Sequence, residues 1–163
     1  VKENPEYEAD LIEATNLVSD ANNEKSLTEL GHYYLSKNNK EKALEYFEQA
    51  LKQDTDNFAI LRNVMLLQID LKEFDKAAEN SMKALEKYPS QPIFYLINGV
   101  ASNELNKPKM AIESLEMGLD YIIDDIKMEA DFYNQLSKAY TLLNNTVKAK
   151  TFSDRAKQIQ SPN

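Results

Sequence analysis

The 163-residue sequence contains no cysteine, one histidine (His32) and only three glycines and five prolines. Without cysteine there is no disulfide and no thiolate nucleophile or ligand. With His32 as the only histidine, a histidine zinc cluster and a Cys–His pair are both excluded, and a serine triad would have to use His32 without any nucleophile-elbow motif. The glycines stand singly at 31, 99 and 118, so no glycine-rich phosphate loop exists. No apolar run approaches the ~20 residues of a membrane span, and no signal-peptide pattern is visible. Lys and Arg number 19 against 27 Asp and Glu, a formal balance of −8, and no basic run interrupts it. That sign argues against nucleic acid and against insertion at an anionic membrane surface. Asp120, Asp124, Asp125, Glu129 and Asp131 form an acidic cluster. It lacks the alternating ligands and central glycine of a calcium loop and reads as a solvated helix junction with capping aspartates. No catalytic, cofactor or metal residues are expected.

Scarcity of helix breakers leaves room for long helices, and the chain fills them with a repeat. Ala43, Ala77 and Ala111 stand 34 residues apart, and Ala50, Ala84 and Gly118 follow at the same spacing. A fixed period of this length marks a solenoid of stacked units. The clearest unit begins at Glu24, counted as position 1. Leu27, Leu30 and Tyr34 fall at positions 4, 7 and 11, one helical face, with Gly31 at position 8. Asn38 and Asn39 suit a short turn with left-handed backbone. Ala43, Phe47 and Ala50, at 20, 24 and 27, form the face of a second helix. Small residues at 8, 20 and 27 against large ones at 4, 7, 11 and 24 make a knob-and-hole hairpin.

This arrangement resembles the tetratricopeptide repeat, departing only at position 32, where Thr55 replaces the usual proline. The resemblance implies an all-α, right-handed superhelix of four hairpins over 24–57, 58–91, 92–125 and 130–163, preceded by a helix within 1–23 that acts as a cap or as the remnant of an earlier repeat. The expectation is nine helices. The second hairpin has Met65 at position 8 and Ser81 at 24, read as a volume exchange. In the third, Asn98 replaces the apolar residue at position 7, which is expected to weaken the inner seam. Four extra residues, Ile126 to Glu129, precede the fourth; they either tilt it or lengthen one helix. The second helix of the fourth hairpin has Val147, Phe152, Ala156 and Ile159 to bury, and no polar cap follows it. The chain therefore reads as a segment of a longer array.

In this family the first helix of each repeat lines the concave face through positions 2, 5, 9, 12 and 13. Leu66, Ile69, Ile93, Leu96 and Val100 would form an apolar strip there, flanked by His32, Arg62 and Lys138; Asn103, Glu104 and, nearby, Ile97 fall on the same face. Family members that grip the acidic tails of heat-shock chaperones need a carboxylate clamp. The matching positions here hold Thr28, His32, Asn63, Ile93 and Ile97, of which only Asn63 fits, and starting one repeat later fails as well. Apolar residues in place of cations point instead to an apolar helix or extended peptide. The expected function is a non-catalytic scaffold that binds a protein or peptide. Alternatives are a spacer or self-assembling segment, including a homo-oligomer, and a regulatory appendage of a larger enzyme or sensor. The Asn- and Lys-rich repeats are similar to those of bacterial envelope proteins, which leaves the bacterial cytoplasm, the periplasm and the envelope as candidate locations.

Overall fold

A computed structural model of the chain describes residues 23–160. The anticipated N-terminal helix lies outside them, apart from Asn23, as do Pro162 and Asn163. The described residues form eight α-helices and no strand: α1 Glu24–Ser36, α2 Lys40–Gln53, α3 Phe58–Asp70, α4 Phe74–Lys87, α5 Pro92–Glu104, α6 Pro108–Leu119, α7 Ile126–Leu142 and α8 Thr146–Gln160. The chain divides into two compact units, one ending at Leu71 and the other beginning at Lys72.

Local chemistry explains where the helices start and stop. Asn23, Asn39, Asn57 and Asn145 cap α1, α2, α3 and α8, each side chain accepting a backbone N–H of the first turn at 2.8–3.2 Å. Pro92 and Pro108 begin α5 and α6, where a missing N–H costs least. Asn38, Lys72, Asn106 and Asn144 all have φ between 55° and 62°. Each sits at repeat position 15, so the turns after α1, α3, α5 and α7 share one left-handed residue.

In the first unit, α1, α2 and α3 bury Leu27, Leu30, Tyr34, Phe47, Ile60 and Val64 around Ala43 and Ala50. A Cβ on Gly31 would stand 2.7 Å from the Phe47 ring, so the glycine is the hole into which that aromatic fits. Tyr34 stacks on Tyr46 with ring centroids 5.3 Å apart, and Lys42 Nζ lies 4.8 Å over the Tyr34 ring. Lys40 pairs with Asp70 at 2.6 Å, tying the start of α2 to the end of α3; an exposed pair of this kind contributes ~0–1 kcal/mol.

The second unit repeats the theme with variations. Gly99 accommodates Leu115, whose side chain would lie 2.5 Å from an added Cβ. Gly118 lets both the Tyr95 Cβ and Phe132 approach, the latter 2.7 Å from an added Cβ. In α7–α8, Tyr140 stacks on Phe152 at 5.6 Å with Lys148 Nζ 4.8 Å over the Tyr140 ring, the same three-layer arrangement as in the first hairpin. Ser137 takes the place of the small packing glycine, and its hydroxyl donates to the Ala149 carbonyl at 2.8 Å.

Two expectations are corrected here, and one open alternative is decided. Asn98 does not weaken the seam: it is buried, and its amide donates to Ser81 Oγ at 3.0 Å and to the Ala78 carbonyl at 3.3 Å. The two polar departures, Asn98 and Ser81, therefore satisfy each other, as buried polar groups must. The four extra residues lengthen a helix: α7 runs 17 residues from Ile126, with Asp125 accepting from Met128 N at 2.9 Å. Val147 is 76% exposed and contributes nothing to the core, since its place in the first turn of α8 faces outward.

Candidate functional site

Each unit carries part of the anticipated face. In the first, Arg62, Leu66 and Ile69 follow at three- and four-residue spacing along one side of α3. Leu66 is 41% exposed, although Val64, Met65 and Leu67 around it are buried. Arg62 is exposed and forms no ion pair among the described residues. His32, on α1, is exposed at its edge while its ring meets Phe47 in a T-shaped contact at 5.0 Å. Its ring is thus packed against the aromatic knob of the first hairpin.

In the second unit, Ile93, Leu96 and Val100 lie on one side of α5, all partly buried. Leu96 leans on the core cluster that includes Tyr95, Phe132 and Leu136. Ile97 and Asn103, expected beside or on the groove, are buried at 2% and 3% exposure. Asn103 donates to both the carbonyl and the side-chain oxygen of Gln135 at 3.0 Å, fastening α5 to α7. Lys138 is no free cation either. Its ammonium is ion-paired with Glu104, a second link between the same helices. The acidic cluster is likewise absorbed locally: Asp125 caps α7, Asp124 supplies a left-handed linker at φ 52°, and Glu129 accepts from the Tyr133 hydroxyl at 2.7 Å.

The second unit also holds a feature that sequence reasoning missed. Met82 and Leu85 from α4, Tyr95 and Asn98 from α5, and Met110, Glu113, Ser114 and Met117 from α6 line an open cavity of about 270 Å³. At 3.6 residues per turn, Tyr95 and Asn98 stand roughly 160° around α5 from Ile93, Leu96 and Val100. The cavity is therefore separate from the anticipated face. Burial raises the Tyr95 phenol above its ordinary pKa, with stacked Tyr121 adding to the effect. The signal was present in the sequence: the three methionines sit at positions that are charged or polar in the other repeats.

The family profile described as "TT21 fifth ARM repeats domain" matches residues 24–119. Human N-alpha-acetyltransferase 16, NatA auxiliary subunit, is 32% identical over 76 residues, which cover 47% of this chain and 9% of that protein. The chain thus spans less than a tenth of that relative's length. Among solved structures, MamA AMB-1 superposes with a TM-score of 0.78 at 18% identity, covering 96% of this chain and 90% of the other. MamA from Desulfovibrio magneticus RS-1 gives 0.74 at 15% identity, covering 85% and 76%. TTC0263, a thermophilic TPR protein of Thermus thermophilus, gives 0.67 at 21%, covering 82% and 72%. At these identities the likeness is one of fold, an all-helical tetratricopeptide-type solenoid. Families of such repeats are generally non-catalytic and interact with proteins. The sequence profile and the repeat architecture agree that the chain belongs to the TT21 fifth ARM repeats domain family, within the tetratricopeptide-type helical repeats.

Proposed function

We propose that the chain is a non-catalytic scaffold whose repeats, at 24–57, 58–91, 92–125 and 130–163, bind protein through the open sides of their first helices, each unit carrying its own part of that surface. The observation that carries this reading is Leu66, a leucine held 41% exposed between buried neighbours. Closing its remaining exposed surface under a partner would stabilise a complex by up to ~1 kcal/mol. Ile93 and Val100 add partly open apolar surface of the same kind on α5. The name of the human relative, an auxiliary subunit, fits a protein that supports another protein's activity.

Leu66→Glu and Val100→Glu are the appropriate disruptions, because Leu96 supports the core of its unit. Capture from a lysate of the source cell, followed by cross-linking mass spectrometry, tests the reading. A partner held by the parent chain should be lost about tenfold or more by the double variant with helicity unchanged, since each glutamate would place an unpaired carboxylate in an apolar contact. Equal capture by both would abandon this face and favour a spacer or self-assembling segment.

A further inference from the structure

The methionine-lined cavity lies away from the proposed binding face, and comparison among the repeats shows what it is. At position 19 the four repeats carry Lys42, Lys76, Met110 and Lys148; at position 26, Gln49, Lys83, Met117 and Arg155; at position 25, Glu48, Met82, Glu116 and Asp154. The solenoid accepts charged or polar residues at all three positions. Packing therefore does not demand methionine there, and Met82, Met110 and Met117 remain 55%, 47% and 53% exposed. Position 23 explains the cavity itself. It holds Tyr46 and Phe152 in the first and fourth hairpins, and Phe152 covers Tyr133 at 6.0 Å. In α6 the residue is Ser114, so Tyr95, the counterpart of Tyr133, is left as the floor of an open groove.

At about 270 Å³ the groove falls below the ~300–1,000 Å³ usual for small-molecule pockets, and suits a few apolar side chains. Methionine is unbranched and polarisable, a surface suited to an inserted helix. The rim sets the sign of the partner. Glu113 lines the groove and Glu86 lies one turn after Met82 on α4. Both are exposed, and neither forms an ion pair among the described residues.

We propose that the groove formed by α4, α5 and α6 docks a basic amphipathic helix, with its apolar stripe on Met82, Met110 and Met117 and its Lys or Arg flanks against Glu86 and Glu113. The site is separate from the α5 face of Ile93, Leu96 and Val100 and gives this unit a second point of attachment.

The test uses the full chain and a labelled peptide of about five helical turns, leucine along one face and lysine on the other. Fluorescence anisotropy measures binding to the parent, to the charge-neutral pair Met82→Gln/Met117→Gln, and to Ser114→Phe, which fills the groove with the aromatic found in the outer hairpins. Both variants, confirmed as folded by circular dichroism, should lose affinity at least about tenfold. Glutamate in place of the peptide's lysines should cost a similar factor. Methyl NMR of the five methionines gives the location: Met82, Met110 and Met117 should shift, while Met65 and Met128 hold still. Equal binding by parent and variants, equal binding of the acidic peptide, or no binding overturns the proposal. So do methionine shifts that follow protein concentration without peptide, which would make a second copy the occupant.

Discussion

Hairpins α5–α6 and α7–α8 belong to one unit and solve the same packing problem differently. In α7–α8 a lysine, a tyrosine and a phenylalanine stack in three layers, with Lys148 over Tyr140 and Tyr140 on Phe152. In α5–α6 the same three positions hold Met110, Ser102 and Ser114. Ser102 is buried, and Ser114 turns its hydroxyl to the Tyr95 carbonyl at 3.2 Å. Both hairpins keep their inner seam: Gly99 under Leu115 in one, Ser137 bonded to Ala149 in the other. The inner seam is thus what the fold requires. The outer stack is optional, and its removal exposes the floor on which a partner can be received.

The sharpest way to break this comparison is at position 27. Ala156 fills it in α8, whereas Gly118 does so in α6. Gly118→Ala would drive a methyl into Tyr95 and Phe132 and should cost ~1–3 kcal/mol. Ala156→Gly should cost ~1–2 kcal/mol through backbone entropy and the loss of one buried methyl, a loss without a clash, and urea denaturation reads both. Next in size is Phe152→Ser, which gives α8 the residue that α6 carries. Phe152 is only partly buried, so the loss should be ~2 kcal/mol, below that of a fully buried phenylalanine. Lys72→Asn should act in the opposite direction. Lys72 holds φ 62° where the turns after α1, α5 and α7 use asparagine, and relief of that strain should raise stability by ~0.5–1 kcal/mol. Lys148→Met, which removes the cation from the stack, should cost only ~0.5–1 kcal/mol, and the cost should persist in high salt less than that of Phe152→Ser.

A pH titration extends the comparison without mutation. Burial raises the phenols of Tyr34, Tyr95 and Tyr133 above the ordinary value of 10.0, with Glu129 also raising Tyr133. The unfolded chain then loses these protons first. Their contribution is complete below pH 10.0 and is lost as pH rises through the folded-state values. Stability followed by circular dichroism should be flat to that point and fall beyond it, with the tyrosinate absorbance band rising in the same range.

The repeat period made the seam legible. Residues at positions 4, 8, 20, 24 and 27 are local, regular and constrained by close approach, so Gly31, Phe47, Gly99 and Leu115 could be paired before any coordinates. Contacts between repeats were harder. Asn103 with Gln135 and Glu104 with Lys138 join residues about one repeat apart, and nothing in a single hairpin's pattern marks them. Position 3, which carries buried Ser26, Ile60, Phe94 and Phe132, escaped for a related reason: its residues range from serine to phenylalanine and show no repeated side chain. The methionine groove escaped because its evidence is a set of departures, visible only when outward positions are aligned across repeats.

Helix α7 reaches beyond its own hairpin. This helix touches α5, α6 and α8, inserts Phe132 into the cleft left by Gly118, and receives both links from α5. A 34-residue period describes the spacing of the seam residues; it does not describe how this unit comes apart. Amides from α5 to α8 should exchange with deuterium as one block, opening together instead of hairpin by hairpin. A protease that finds the exposed linker around Ile123 should therefore release two nicked halves that stay associated until the whole block melts.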